Sequence, residues 1–178
     1  FTDEEISTVH LNWAKNVIAQ QQGIILEPYY NKVEDFAMEF YVEEGCMKYC
    51  GLSVFLSLHG AYTGSIIANE NKKRSLLGQF INIEVLDTIR ESLTDLLEQN
   101  IKGKYKGPLG VDMMIVESRR SSDSTTASYF IHPLVEVNLR RTMGHVALSL
   151  YDEIKAQDKL MQIMFDGSRH ILEINDSV

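Results

Sequence analysis

The segment His132-Pro-Leu-Val-Glu-Val-Asn-Leu-Arg-Arg-Thr-Met-Gly144 sets the strongest condition on how this chain can fold. Side chains alternate between the two faces of a strand, so Glu136, Asn138 and Arg140 project to one side and Val135, Val137 and Leu139 to the other. The expected strand, Tyr129 to Arg140, then belongs to a sheet with one apolar core face and one chemical face. A carboxylate beside a carboxamide offers hard oxygens suited to Mg²⁺, and Arg140 adds a permanent cation with a two-pronged donor for phosphate or carboxylate. Taken alone, E-x-N-x-R also describes an edge strand with a solvated polar face.

Two further segments carry chemistry. In Gly107-Pro-Leu-Gly-Val-Asp-Met-Met-Ile-Val116, Asp112 interrupts an apolar strand expected over Gly110 to Glu117, where an acid is costly unless it is paired or binds a metal. If that strand pairs with the Glu136 strand, Asp112 faces Glu136 and Asn138; a capped or exposed aspartate is the plainer alternative. In Ile24-Ile-Leu-Glu-Pro-Tyr-Tyr30, an apolar β-branched run reaches Glu-Pro and then turns over Asn31 to Glu34. Such an end leaves backbone groups free at a lobe junction, although a plain hairpin fits the pattern as well.

Around these segments the pattern is α+β: a mainly antiparallel sheet flanked by helices. Thr2 and Glu5 form a capping box for an amphipathic helix through Ile6, Val9, Trp13, Val17 and Ile18, stopped by Gly23. Strands are expected over Asp35 to Glu43, Met47 to Leu58 and Tyr62 to Ala68, with a turn at Glu44-Gly45. Residues 69 to 79 read as a loop with at most one helical turn. Val85, Ile89, Leu93, Leu96 and Leu97 mark a helix from Asn82 to Ile101, ended by Gly103. Arg119 to Ser128 forms a flexible connection, a helix starts near Thr142, and a hairpin of Leu160 to Phe165 and Ile171 to Ile174 turns at Asp166-Gly167.

With 178 residues, 44% of them hydrophobic, the chain can build one ordinary core or two small lobes sharing one. Its net charge of −8, with 17 scattered basic residues, disfavours binding to a nucleic-acid backbone. No apolar run approaches the roughly 18 residues that span a bilayer, and no signal-peptide pattern opens the chain, so the expectation is a soluble cytoplasmic protein. Cys46 and Cys50 lie about 13 Å apart along a strand, beyond disulfide reach, and read as core thiols; a structural zinc site is not expected. His59, His132 and His145 read as packing or surface residues, with His132 and His145 within reach of a substrate carboxylate. Lys102, Lys104 and Lys106 read as a solvated turn, and the methionines, among them Met113, Met114, Met161 and Met164, as core filler.

In this order the three segments resemble the ATP-grasp superfamily, of the carbamoyl-phosphate-synthase-like or carboxylate–amine ligase type, over nearly the whole chain. The resemblance implies the C-terminal part of an ATP-grasp domain, with the end of the nucleotide lobe and its hinge in about 1–68 and the metal-binding lobe in 69–178. It implies that Glu27, Pro28, Tyr29 and Tyr30 hold adenine, with the Pro28 carbonyl accepting from the amino group and the Tyr30 N–H donating. Asp35, or Glu34, would hold the ribose; Asp112, Glu136 and Asn138 would bind Mg²⁺ or Mn²⁺; Arg140 would stand near the γ-phosphate. The full-length protein would join a small carboxylate to an amine or thiol through an acyl phosphate. A nucleotide-binding module without turnover is the alternative, and a homodimer is compatible with either. The family's two phosphate-binding lysines and its N-terminal domain are expected upstream of Phe1, so this piece alone should bind nucleotide weakly.

Overall fold

The computed structural model describes residues 8–58, 60–118, 127–154, 158–165 and 168–176. The chain divides into two compact units, residues 1–30 and 31–178. The strands on either side of residue 68, where the lobe division is expected, share one sheet.

In the first unit, α1 (Thr8–Gln21) ends where Gln22 takes a φ of 63° just before Gly23. The capping box at Thr2 and Glu5 lies outside the described residues. Trp13 and Ile18, expected on a buried stripe, are exposed. Ile24 to Tyr30 is irregular rather than a strand. Pro28 has no N–H to give to a ladder, and a β-rich run becomes a strand only when a neighbour pairs with it; the described part of this unit holds none.

The second unit is built on β1 (Asn31–Glu43), β2 (Cys46–Leu58), β3 (Ala61–Ile67), β4 (Gly107–Ser118), β5 (Ser128–Asn138), β6 (Lys159–Phe165) and β7 (His170–Asp176). They form one antiparallel sheet in the order β5-β4-β1-β2-β3-β6-β7. The helices of this unit among the described residues are α2 (Glu70–Leu77), α3 (Glu84–Ile101) and α4 (Met143–Ile154). The α+β class with a mainly antiparallel sheet is as expected from the sequence.

β1 shows how the sheet acquires two different faces. Phe36, Met38, Phe40 and Val42 alternate onto one face and are at most 1% exposed. They meet Leu52 and Val54 of β2, Leu109, Val111, Met113 and Ile115 of β4, Leu77 of α2, and Leu86, Leu93 and Leu97 of α3, which recur at helical spacing. Each such side chain removed from water contributes about 1.5–3 kcal/mol. β1 and β2 are joined by Glu44-Gly45, with φ of 52° and 83°, the left-handed pair that a tight hairpin needs.

Four local expectations are corrected. The turn expected at Asn31 to Glu34 is the start of β1, paired with Glu117 to Ile115 of β4 across a bulge at Val33. Residues 69–79 are not a loop: Asn69 caps α2 by accepting the Lys72 N–H at 2.8 Å, and Leu77 and Lys73 are buried. Val135 and Val137, on the edge strand β5, and Leu139, just beyond its end, are 49%, 37% and 50% exposed rather than core residues. Cys46 and Cys50 are exposed free thiols rather than core residues. The expected Asp166-Gly167 turn and most of the Arg119 to Ser128 connection lie outside the described residues. Of the methionines, Met113 and Met161 are buried while Met164 is exposed.

Candidate functional site

The face opposite α2 and α3 carries Asp35, Ala37 and Glu39 of β1, Ser53, Phe55 and Ser57 of β2, Asp112 of β4, and Glu136 and Asn138 of β5. α4 covers one end of it. The remainder is an open groove of about 420 Å³ lined by Lys32, Asp35, Glu39, Ser57, Tyr62, Asp112, Glu136, Asn138, Arg140 and Thr142, among others.

Asp112 is directly opposite Glu136 in the β4–β5 ladder, and Gly110 is opposite Asn138. Directly opposed residues of an antiparallel pair share a face, with Cβ atoms about 4.5–5.5 Å apart. Asn138 donates its amide to Asp112 Oδ2 at 3.0 Å and is itself buried. The strand ends at Asn138, so Arg140 sits in the following turn rather than in β5 as the alternation implied, yet it lines the same groove. Its guanidinium reaches the Arg141 carbonyl at 3.5 Å, which leaves further N–H donors for a ligand.

Burial pushes the Asp112 carboxyl up to about 6, and the neighbouring Glu39 and Glu136 charges push the same way; the Asn138 hydrogen bond and Arg140 pull against them. A cluster of acids whose charges oppose one another favours a cation. Among the described residues no three His, Cys, Asp or Glu side chains stand close enough to hold a metal by themselves. The donors here, Asp112, Glu136 and the Asn138 carboxamide, fit Mg²⁺ as a partial shell, since that ion is commonly held by one or two carboxylates with phosphate oxygens and water.

At the other end of the groove, Lys32 contacts both Asp35 and Ser57, and the Ser57 hydroxyl donates to Asp35 Oδ2 at 2.5 Å. The two contacts to Asp35 both fall on Oδ2. Glu34, the alternative to Asp35, does not line the groove. Burial, with Asp35 adding to it and Lys32 opposing, holds the Glu34 carboxyl above its ordinary value.

Between the two ends lies a buried network that the sequence reading missed. Glu39, 1% exposed, accepts the Ser53 hydroxyl on Oε1 at 2.9 Å and the Thr142 hydroxyl on Oε2 at 2.8 Å. His145 Nδ1 lies 3.0 Å from Oε2, and His145 Nε2 lies 3.0 Å from the Phe40 carbonyl. Burial alone would lower the His145 pKa; the hydrogen bond and charge of Glu39, with the Phe40 carbonyl, raise it above its ordinary value against the opposing Arg141. His145 is therefore engaged in the interior, not poised for a substrate carboxylate. His132, on β5 opposite Met114, does not line the groove, and His59 lies outside the described residues. Glu39 was legible by the rule that singled out Asp112, an acid within the apolar run Phe36-Ala-Met-Glu-Phe-Tyr-Val42.

The structure thus brings Asp35, Asp112, Glu136, Asn138 and Arg140 to one groove. Glu27, Pro28, Tyr29 and Tyr30 belong to the N-terminal unit, in irregular, exposed chain. No family model matches the sequence. No curated protein matches it either. Among solved structures, the chain is similar to one from Archaeoglobus fulgidus described as an ATP-grasp superfamily protein, at 14% identity and a TM-score of 0.49, over 84% of this chain and 47% of that one. It is also similar to two structures of N5-carboxyaminoimidazole synthetase from Staphylococcus aureus, one of them complexed with ADP, in each case at 10% identity, a TM-score of 0.39 and 78% of this chain. The chain spans 36% of the first of these two and 37% of the second. No described helix is long and apolar enough to cross a membrane.

Proposed function

We propose that the groove binds the phosphates of a nucleoside triphosphate together with a divalent cation. We further propose that the whole protein is an ATP-dependent ligase that activates a small carboxylate for capture by an amine or thiol. The observation that carries this reading is the register of β4 and β5. It sets Asp112 opposite Glu136 with Asn138 bonded to Asp112, and the chain then turns at once to bring Arg140 to the same groove. Three oxygen-bearing side chains and a cation at one end, with hydroxyl-binding groups at the other, suit an elongated polyphosphate ligand carrying a sugar.

In the proposed reaction a carboxylate oxygen attacks the γ-phosphorus, the bond from that phosphorus to the bridging oxygen breaks, and ADP leaves. The amine or thiol then attacks the acyl carbon, and phosphate leaves with the electron pair. Bound Mg²⁺ or Mn²⁺ would supply charge neutralisation on the phosphates. Asp112, Glu136 and Asn138 would hold it, and Arg140 would stabilise charge on the transferred group, so that positioning and electrostatics supply the catalysis. Asp35 Oδ1 would accept from a ribose hydroxyl, with Lys32 and Ser57 fixing its orientation.

The test is a phosphate-release screen with Mg·ATP against amino acids and other small carboxylates, accompanied by calorimetric titration of Mg·ATP. Release that depends on one carboxylate supports the ligase. Binding without release, over a broad acid and nucleophile panel, leaves a nucleotide-binding module. No Mg²⁺-dependent nucleotide binding by any form of the protein refutes the reading.

A further inference from the structure

Glu39 lines the floor of the groove but does not offer it a free carboxylate. Oε1 is taken by Ser53, and Oε2 by Thr142 and His145. The Phe40 carbonyl can only accept, so Nε2 carries a proton; Nδ1 accepts the Thr142 N–H at 3.3 Å when it is neutral, and a second proton there makes the ring a cation facing Oε2. The surroundings are shaped to this carboxylate. A Cβ at Gly144 would lie 1.9 Å from Glu39 Oε1, and one at Gly110 would lie 2.7 Å from Oε2. Thr142 also caps α4, its Oγ1 accepting the His145 N–H at 3.3 Å.

This geometry bears on Arg140 through the chain itself. The turn 139–142 begins at Asn138, held in the β4 ladder opposite Gly110, and ends at Thr142, held by Glu39 and His145. Arg140 is exposed between these two anchors. One anchor is backbone pairing; the other is the buried side-chain network. We propose that Glu39 and His145 are positioning residues, which by clamping Thr142 fix the turn that sets Arg140 beside Asp112, Glu136 and Asn138. The consequence for a bound phosphate rests on the groove being the nucleotide site; the clamp itself does not.

A merely structural role, holding α4 to the sheet, would lower stability on mutation and do nothing else. The clamp additionally demands that order in the turn follow the His145 proton. Other charged or titratable groups around the pair are Asp112 on β4, Arg141 in the turn, Lys73 on α2 and Cys50 on β2. The His145 ring must therefore be followed directly.

The experiment is nitrogen-detected NMR of the His145 ring with amide exchange of 139–145, on the full chain without nucleotide, from about pH 5 to pH 9. The expected result is Nε2 protonated throughout and Nδ1 titrating above about 6.5, the ordinary imidazole value. Exchange protection of 139–141 and 143–145 should fall at least about tenfold as Nδ1 loses its proton and its pairing with Glu39, while the Thr142 amide, which neutral Nδ1 accepts, and the core amides of β1 and β4 hold theirs. A ring titrating at or below 6.5, or a turn indifferent to it, overturns the proposal without recourse to any variant. The link to Arg140 is read from Mg·ATP affinity: Glu39→Gln and His145→Gln should each weaken it about tenfold in the native background and leave it unchanged beside Arg140→Ala. Equal losses in both backgrounds refute positioning. Absence of Mg·ATP binding by the native protein refutes the nucleotide reading instead, and the exchange result then decides the clamp alone.

Discussion

Glu136 is the residue whose proposed role is easiest to isolate, because it is exposed on an edge strand and supports no core packing. Glu136→Gln keeps its volume and removes one charge from the proposed cation site. Turnover should fall by on the order of a hundredfold or more while the melting temperature does not fall, as steady-state kinetics and calorimetry would show. Unchanged turnover would remove Glu136 from the site. The cysteines give a simpler test of a corrected expectation: Cys46 and Cys50 should both react with an aromatic disulfide reagent in the native protein. Cys50 should react more slowly, because burial and the nearby Glu39 charge hold its thiol pKa up against the opposing Lys48. Titration of only one thiol before denaturation would contradict the exposure described.

The elements differ in how plainly the sequence announces them. α3 was legible because its leucines keep helical spacing over eighteen residues, and β1 and β4 because their apolar residues alternate. The acidic end of the candidate groove was legible for the same reason: alternation places Asp112 and Glu136 on one face once the strands pair. Long-range packing was not. The periodicity of Val135 and Val137 says which side they share but not that β5 ends the sheet, and Glu39 needed Ser53, Thr142 and His145 from distant segments to show why an acid is tolerated there. α2 was missed because a short helix rich in lysine shows little apolar pattern; its signal was the cap. Asn69→Ala should lower stability by about 1 kcal/mol in urea unfolding, the usual worth of such a cap. A change within error would show that Glu70, which accepts the Leu52 N–H at 2.9 Å, and Leu77 hold α2 without it.

For the molecule as a whole, the proposed site would set stability against binding, and Asp112 is where the conflict can be measured. Its folded pKa, about 6, lies above the ordinary 3.8, so the native state binds more protons than the unfolded chain between those values. Stability therefore falls as pH rises through that window, and the full penalty stands above pH 6. Asp112→Asn removes the charge that burial, Glu39 and Glu136 oppose, while an amide of similar size remains. In buffer free of divalent ions the variant should melt higher than the native protein at about pH 8, by on the order of 2 kcal/mol, and the gain should vanish near pH 4. Mg·ATP should narrow the difference by stabilising the native protein and not the variant, because a ligand stabilises only the state that binds it. A variant less stable at pH 8, or a gain that persists unchanged at pH 4, would show that the Asp112 carboxylate is accommodated in the free groove rather than held there at a cost that a bound cation relieves.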